Sequence, residues 1–578
     1  MGDFRLPGRV AQFTTDVLVI GGGMAACVAA IEAKKHKLEV LMVDKGKIGT
    51  SGTSPRCGGA GNDWALLPPE FGGDPRDSHD VQLHDCVTGG GYLNVQDMTD
   101  LFNRESLERL VEMESYGVKY TRKPDGRYDS QRLMNCSYAR GVLEAVGGSM
   151  AVMRTMKEQV SRCGVQTRQN MIITKLLFNE GKVTGAIGFD VKTGQFNIFK
   201  AGATILASGS ATGVFKYPTC VNELTGDSYY LAYEIGLPLM NMEFLQFSIT
   251  PKIRGVHVRG GLGIKPMISS GAVWVNSLGE RVMEKYYPEE LELAGWWKHA
   301  YAIYKENAEG RGPVYLDQSK VKDDVRDVMK EESSSIFNVM RRMGMDPRRE
   351  RLELIPGLHT FLGGAIVNKK GETAVPGLYA AGEAAGQGGI FGADRTGGGI
   401  PAAQVLGHRC GKYAAEFARK SGMIEPRKHD ISEEKDRINS LLKTKGESPY
   451  KLEQQIKEAA FESLSISRNG SGLNKGISRF SAIRSEALSS TRVTSVPELV
   501  KTIEVRNLAL TGEMVARAAL LRTESRGQHR REEFPETDNR KWLKWIVISR
   551  QDKGMKLEAK DVPIHKYRLK PANSDKKM

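Results

Sequence analysis

The sequence predicts an α/β fold built around a parallel sheet, and three observations predict it. Residues 14–23, TTDVLVIGGG, are a short apolar, β-branched run that ends in glycines. AACVAAIEAKK follows with helical composition, and LEVLMVD closes a second apolar run at Asp44. Far downstream, GLYAAGEAAG (377–386) passes again from an apolar run into a glycine turn. Strand, turn, helix and strand in that order build a parallel unit.

The rest of the chain reads in order around that unit. Residues 96–117 and 149–163 have helical patterning, and 171–207 alternate around turns at EGK and KTG as a small antiparallel sheet does. ATILAS (203–208) is a buried strand. Residues 243–355 change to glycine-rich loops, tryptophans and charged helical patches. From about 427 to 524 the chain is polar and helical, and the last fifty residues are basic and irregular. No internal repeat is present.

Composition narrows the function classes. A chain of 578 residues that is 40% hydrophobic and 26% charged builds large cores and is not disordered. Its 64 glycines fall in clusters, a pattern that suits backbone packed against a ligand. No apolar run reaches 18 residues, and no secretory leader is read at the start. The expectation is therefore a cytoplasmic protein with no integral membrane segment. The seven cysteines are scattered with no C-x-x-C, which argues against a structural zinc or an iron–sulfur cluster in this chain. The net charge is +14, and residues 541–578 hold eleven Lys and Arg against four acids. Such a tail suits an acidic partner, or is simply a solvated terminus. No nucleic-acid module is visible, so no nucleic-acid partner is expected.

The strongest chemical signal is G-x-G-x-x-A, formed by Gly21, Gly23 and Ala26 between a strand and a helix. The first glycine permits a tight turn and the second admits a pyrophosphate. The third small residue lets helix and strand pack closely. The helix N-terminus favours the phosphate charge. Asp44, at the end of the next strand, is placed for ribose hydroxyls. The second glycine turn carries an acid, Glu383. This arrangement resembles the second FAD-contacting segment of two-dinucleotide-fold flavoproteins, for which a single nicotinamide domain has no use, and the resemblance implies a Rossmann-like domain for FAD.

The carrying segments are IGGGMAACVAAIEA, GTSGTSPRCGGAGND (49–63), LTGDSYYLAYEIGLPLMNMEFLQF (224–247) and VNSLGERVMEKYYP (275–288). LHTFLGGAIVN (358–368), GLYAAGEAAGQGGIFGADRTGGG (377–399) and ESRGQHRREEFPETDNRKWLKW (524–545) continue them. In that order they resemble the flavoprotein subunits of the succinate dehydrogenase/fumarate reductase family, which includes L-aspartate oxidase and the adenylylsulfate reductase α subunit. The resemblance implies an FAD-binding domain in two parts (1–243 and 356–426), with an inserted α+β capping domain at 244–355. A C-terminal helical domain at 427–545 and a basic tail at 546–578 follow. It implies that Lys45, Ser51, Gly58, Gly59, Asp227, Glu383, Gly399 and Ile400 join Gly21, Gly23, Ala26 and Asp44 around the FAD. It also implies hydride transfer between flavin N5 and a carboxylate-bearing substrate.

Individual residues carry over. His359 matches the family's substrate-carboxylate histidine, and Arg395 matches the arginine that grips a carboxylate with its planar fork. The departures are as informative. The loop at 49–59 has no histidine, so the FAD is expected to be non-covalent. Ser248 stands where a histidine follows the EF-x-QF segment, although Thr250 is kept. IKPMISSGA (264–272) lacks the acid and arginine of the segment that grips a second carboxylate. Trp296 stands at the place of the proton-donating arginine. An indole donates one weak hydrogen bond and shuttles no proton.

One half of a dicarboxylate clamp thus survives. The expectation is a reductase or dehydrogenase of an organic acid other than fumarate or succinate, with a flat or apolar end lined by Trp296, Trp297 and Trp274. The alternative for these tryptophans is packing within the cap. Lys298, His299, Tyr301, Tyr286, His257, Arg254 and Arg259 are replacement acids or cations, and Arg56 lies near the flavin loop. Electrons are expected from an iron–sulfur or other electron-transfer partner. Two alternatives stand beside this reading: an adenylylsulfate reductase α-like subunit with a ferredoxin-like partner, and a non-catalytic flavin-binding subunit.

Overall fold

Val10–Ile20 carries Val17, Leu18, Val19 and Ile20, all buried, as a strand with neighbours on both sides requires. It pairs in parallel with Val40–Asp44 and with Phe196–Leu206. Gln166–Gln169 extends the parallel array beyond Val40–Asp44, and Leu378–Ala380 adds beside Phe196–Leu206. Lys182–Asp190 and Met171–Asn179 then continue the same seven-stranded sheet antiparallel. The alternation over 171–207 therefore belongs to the main sheet and not to a separate small one. The computed structural model describes residues 4–57, 64–132, 136–142, 148–219, 221–259, 271–319, 321, 335–346, 350–395, 397–552 and 554–572.

Helices Met24–Lys35 and Gly399–Ser421 pack together on one face of the sheet. Gly407 and Gly411 allow the close approach. A Cβ at either would stand 2.6 or 2.4 Å from the carbonyl oxygen of Ala25 or Ala29. The register puts Ile20 beside Val43 and Leu206, and Leu206 beside Ala380. Four parallel strands thus deliver their carboxyl ends to one edge, where doubly wound sheets bind ligands.

A second sheet is wholly antiparallel. Its order is Val256–His257, Leu245–Ile253, Leu352–Phe361, Val314–Asp317 and Val273–Val275. Trp274, Ile253, Leu316 and Leu354 form part of its own core with helix Trp296–Ala308 packed over it. The expected cap boundary at 355/356 falls inside the strand Leu352–Phe361. Helices Lys428–Asn439, Pro449–Ser463, Gly470–Ser489 and Val496–Leu521 follow.

The expected irregular tail is corrected in part. Lys544–Gln551 and Gly554–Asp561 form a hairpin that pairs with Leu239–Met240. Ile546, Val547 and Ile548 are buried there. The basic residues alternate with apolar ones, and one face of the hairpin is covered. Nearby, the buried Arg522 reaches Glu243 at 2.9 Å and Glu524 at 2.9 Å. This network ties the end of the last long helix to the start of the strand Leu245–Ile253. A buried pair of this kind specifies a junction, because removing one partner strands the other charge.

Candidate active site

The carboxyl edge of the parallel strands opens into an elongated cleft of about 850 Å³. That is within the usual range for cofactor sites of about 300–1,000 Å³. Gly21, Gly22, Gly23 and Met24 line one part of it. Gly21 has φ +134°, and a Cβ there would collide with the carbonyl of Ala207. Only glycine brings this turn so close to the neighbouring strand. Gly23 caps the helix Met24–Lys35, which carries no acid in its first turn. Its amide groups therefore face the cleft edge as an anion cradle. Ala26 is fully buried beneath, as the close-packing residue.

Asp44 lines the cleft at the end of its strand. Its Oδ1 accepts from Gly46 N at 2.7 Å. Burial pushes its carboxyl up to about 6, against the pull of that amide and of Lys45. Lys45 Nζ pairs with Asp227 at 2.9 Å and Glu504 at 2.7 Å, joining the parallel sheet to the last long helix. Burial alone would raise the Asp227 carboxyl, but Lys45, Asn507 and Thr225 hold it below its usual value. Ser51, Asp227, Glu383, Gly399 and Ile400 also line the cleft. Glu383 is oriented by Ser210 and Thr360, whose hydroxyls donate to it at 2.6 Å each. Gly58 and Gly59 lie outside the described residues.

The structure brings His359, Arg395, Ser248 and Trp296 to this same cleft. His359 sits on the strand Leu352–Phe361, and its Nδ1 lies 2.8 Å from Thr219 Oγ1. Ser248 and Gln246 share the period of the strand Leu245–Ile253 and both line the cleft. Arg395 Nη1 donates to Gln387 at 3.1 Å when the amide is turned to satisfy both its ends. Gln387 is held at φ 54°, a conformation that non-glycine residues adopt rarely. Trp296 opens the helix Trp296–Ala308, and its ring meets His299 edge-on at 5.8 Å.

Lys298 is not brought to the cleft. Its ammonium pairs with Glu290 and lies over the rings of Tyr287 and Trp297. Two residues along a helix turn the side chain by about 200°, so Lys298 and Trp296 face opposite ways. The other replacements are similarly occupied. Tyr286 donates to Glu306 at 2.8 Å, and Arg530 lies over Tyr301 and Trp297. Trp274 is fully buried in the cap core against His299. His257 Nε2 meets Thr250 Oγ1 at 3.1 Å, and burial with Arg259 and Lys252 nearby lowers its pKa to about 4. Arg254 and Arg259 are exposed, and Arg56 pairs with Glu223 at 3.7 Å. Of the altered segment, residues 264–270 lie outside the described residues.

Several cleft residues were not singled out from the sequence. Ser54 Oγ accepts from Met24 N at 3.1 Å at the helix N-terminus. Thr219, Gln246 and Gln387 surround His359 and Arg395. Only Gln246 carried a usable signal, two residues from Ser248 in a strand.

The donor set fits a dinucleotide. The glycine turn and helix N-terminus suit its phosphates, and Asp44 suits a ribose. Asp44→Ala is expected to weaken FAD binding to the apoprotein about 10–100-fold, the value of hydrogen bonds to a charged group. Quenching of flavin fluorescence measures it, and an unchanged Kd would place the ribose elsewhere.

Comparison with known proteins agrees. The family described as FAD binding domain matches residues 16–400, and the fumarate reductase flavoprotein C-terminal family matches 453–575. The chain is 34% identical to a component of the fumarate reductase (CoM/CoB) of Methanothermobacter marburgensis, over 93% of this chain and 98% of that one. It is 29% identical to the fumarate reductase flavoprotein subunit of Mycobacterium tuberculosis, over 93% and 95%. The FrdA chain of E. coli quinol fumarate reductase superposes with TM-score 0.88 at 26% identity, covering 98% of this chain and 99% of that one. Adenylylsulfate reductase from Archaeoglobus fulgidus has TM-score 0.80 at 18% identity, covering 97% and 98%, a likeness of fold alone. Among the described residues no helix is long and apolar enough to cross a membrane. The fold, the elongated cleft and these matches place the chain among the FAD-dependent oxidoreductases of the succinate dehydrogenase/fumarate reductase flavoprotein family.

Proposed function

We propose that the protein reduces an α,β-unsaturated monocarboxylate with a flat far end, in preference to fumarate. The observation that carries this reading is Trp296 in the same cleft as His359 and Arg395. Among the described residues Arg395 is the only arginine lining that cleft. Arg395 and His359 hold the carboxylate, and Gln246 and Ser248 complete its polar wall. Trp296 closes the other side and offers a ring face for stacking. FAD, when bound, would supply a hydride to one alkene carbon, and the proton that completes the reduction at the neighbouring carbon would come from solvent water. Arg395 polarises the double bond through the carboxylate it grips, an electrostatic role for a fixed cation.

Gly52 and its neighbours offer no histidine to the flavin, which supports non-covalent FAD. Acid precipitation that leaves all flavin in the supernatant tests this. Electrons are proposed to arrive from an iron–sulfur or other electron-transfer protein, because the chain has no cluster motif of its own. Placement at a membrane would then come through such a partner.

A second reading is fumarate reduction itself, and the fumarate reductases among the relatives favour it. One experiment separates the two. The FAD-loaded protein is reduced anaerobically and its absorbance followed after adding cinnamate or fumarate. Faster reoxidation by cinnamate supports the first reading. Fast reoxidation by fumarate returns the protein to the second. No reoxidation by any organic acid would support a protein kept for electron transfer.

A further inference from the structure

Asp394 is a carboxylate only 3% exposed, directly behind Arg395. Three segments far apart in the chain converge on it. Its Oδ1 accepts from Arg395 N at 2.8 Å, from Gln246 Nε2 at 3.1 Å and from Gln528 Nε2 at 2.9 Å. Gln246 also donates to Arg395 O at 2.6 Å, so the Arg395 backbone is held at both its N–H and its C=O. Gln528 is itself fixed: its Oε1 accepts from Phe247 N at 2.9 Å, and its N donates to Ala393 O at 3.1 Å. Among the described residues no lysine or arginine side chain bonds the Asp394 carboxylate. A buried carboxylate held by amides alone carries a large desolvation cost, which a purely structural hub would avoid with an asparagine.

We propose that Asp394 is a positioning and charge-setting residue of the carboxylate site. It aims Arg395, and in its ionised form it offsets the Arg395 charge so that the site favours a monoanion over a dianion. The inference rests on the reading that Arg395 grips the substrate carboxylate.

Burial pushes the Asp394 carboxyl up to about 6, against the pull of Gln528, Gln246, the Arg395 N–H and the Arg395 charge. The sign follows. Above that value Asp394 is charged and opposes substrate anions. Below it Asp394 is neutral, Arg395 acts unopposed, and carboxylates bind more tightly. The groups facing Asp394 are few. Its own segment supplies Arg395, and the strand Leu245–Ile253 supplies the uncharged Gln246. The C-terminal segment supplies the uncharged Gln528, flanked by Arg526, which is paired with Glu524, and by His529. Burial beside Arg468 and Arg522 keeps His529 neutral. His359 shares the cleft and is common to wild type and variant, so it cancels in their ratio.

The test uses the full-length, FAD-loaded protein. Dissociation constants for cinnamate and succinate are read from flavin absorbance between pH 5.5 and 8. Asp394→Asn is expected to bind cinnamate about tenfold more tightly than wild type at pH 8 and nearly equally at pH 5.5, with a larger gain for succinate. A wild-type to variant ratio that does not change with pH overturns the proposal, as does an equal gain for both ligands. Gln528→Met keeps the test alive where Asp394→Asn does not fold. It removes one donor to the ionised form and is expected to move the wild-type inflection to higher pH, and an unmoved inflection overturns the proposal. Arg395→Met separates the two layers. If it leaves cinnamate binding unchanged, the carboxylate reading itself fails. If it weakens binding while the Asp394→Asn ratio stays flat, only the Asp394 inference fails.

Discussion

Arg395→Met is expected to lower kcat/KM for the organic-acid oxidant by about 10³-fold while FAD stays bound. The magnitude follows from the geometry of the group. A guanidinium fork makes two charge-assisted hydrogen bonds to a carboxylate, each contributing about 1.5–3 kcal/mol. The cleft offers no other arginine among its described lining residues to take over. The fork is also pre-aimed. Gln387 accepts from Nη1, while Asp394 and Gln246 hold the backbone on either side. Little ordering entropy is left to lose on binding, so the side chain delivers most of its interaction. Arg395→Lys keeps the charge but loses the planar fork, and it is expected to recover only about a tenth of the lost rate. Anaerobic reoxidation of the reduced flavin, measured against oxidant concentration, separates kcat from KM. A variant within tenfold of wild type would move the carboxylate to another part of the cleft.

The dinucleotide half of the site was legible because its physics is local. Gly21, Gly23, Ala26 and Asp44 lie within one strand–turn–helix–strand unit, and Gly21 at φ +134° stands where only glycine fits against Ala207. His359 and Arg395 were legible through the segments around them. What was missed has physical reasons. Lys298 was judged by its distance along the chain from Trp296, and helical geometry turns it away toward Glu290. Of the two places open to Trp297, the structure takes packing over the cleft: it lies beneath Arg530, about 100° round the helix from Trp296. The C-terminal hairpin was hidden by its lysines, although Met555, Leu557 and Ala559 alternate with Lys556, Glu558 and Lys560 as a strand requires. Asp394, Gln246 and Gln528 were beyond reach in principle. Their hydrogen bonds join positions 148 and 134 residues apart, and no local pattern announces such a meeting.

Trp296→Arg is expected to raise fumarate-dependent flavin reoxidation by about 10²-fold, within the usual contribution of one positioned proton donor. The position is built to accept the change. Residue 296 is the first of its helix, after Gly295, and its side chain lines the cleft. The cost is an unfavourable charge at a helix N-terminus, typically about 0.3–1 kcal/mol. A further cost comes from His299, which lies edge-on to Trp296 with both ring nitrogens unpartnered among the described residues. Burial, with Lys298 nearby, lowers the His299 pKa to about 3, so that imidazole stays neutral and acts as packing. The same substitution removes the ring face proposed for the far end of the substrate, so cinnamate turnover is expected to fall about tenfold, the value of one lost aromatic contact. Adding Ser248→His supplies a second hydrogen-bonding group on the strand that carries Gln246, and the double variant is expected to exceed the single one with fumarate. The opposed movement of the two oxidants is the informative result. Both falling together would mean that Trp296 supports the fold of the cap, and both staying level would place the reacting carbon outside the reach of residue 296.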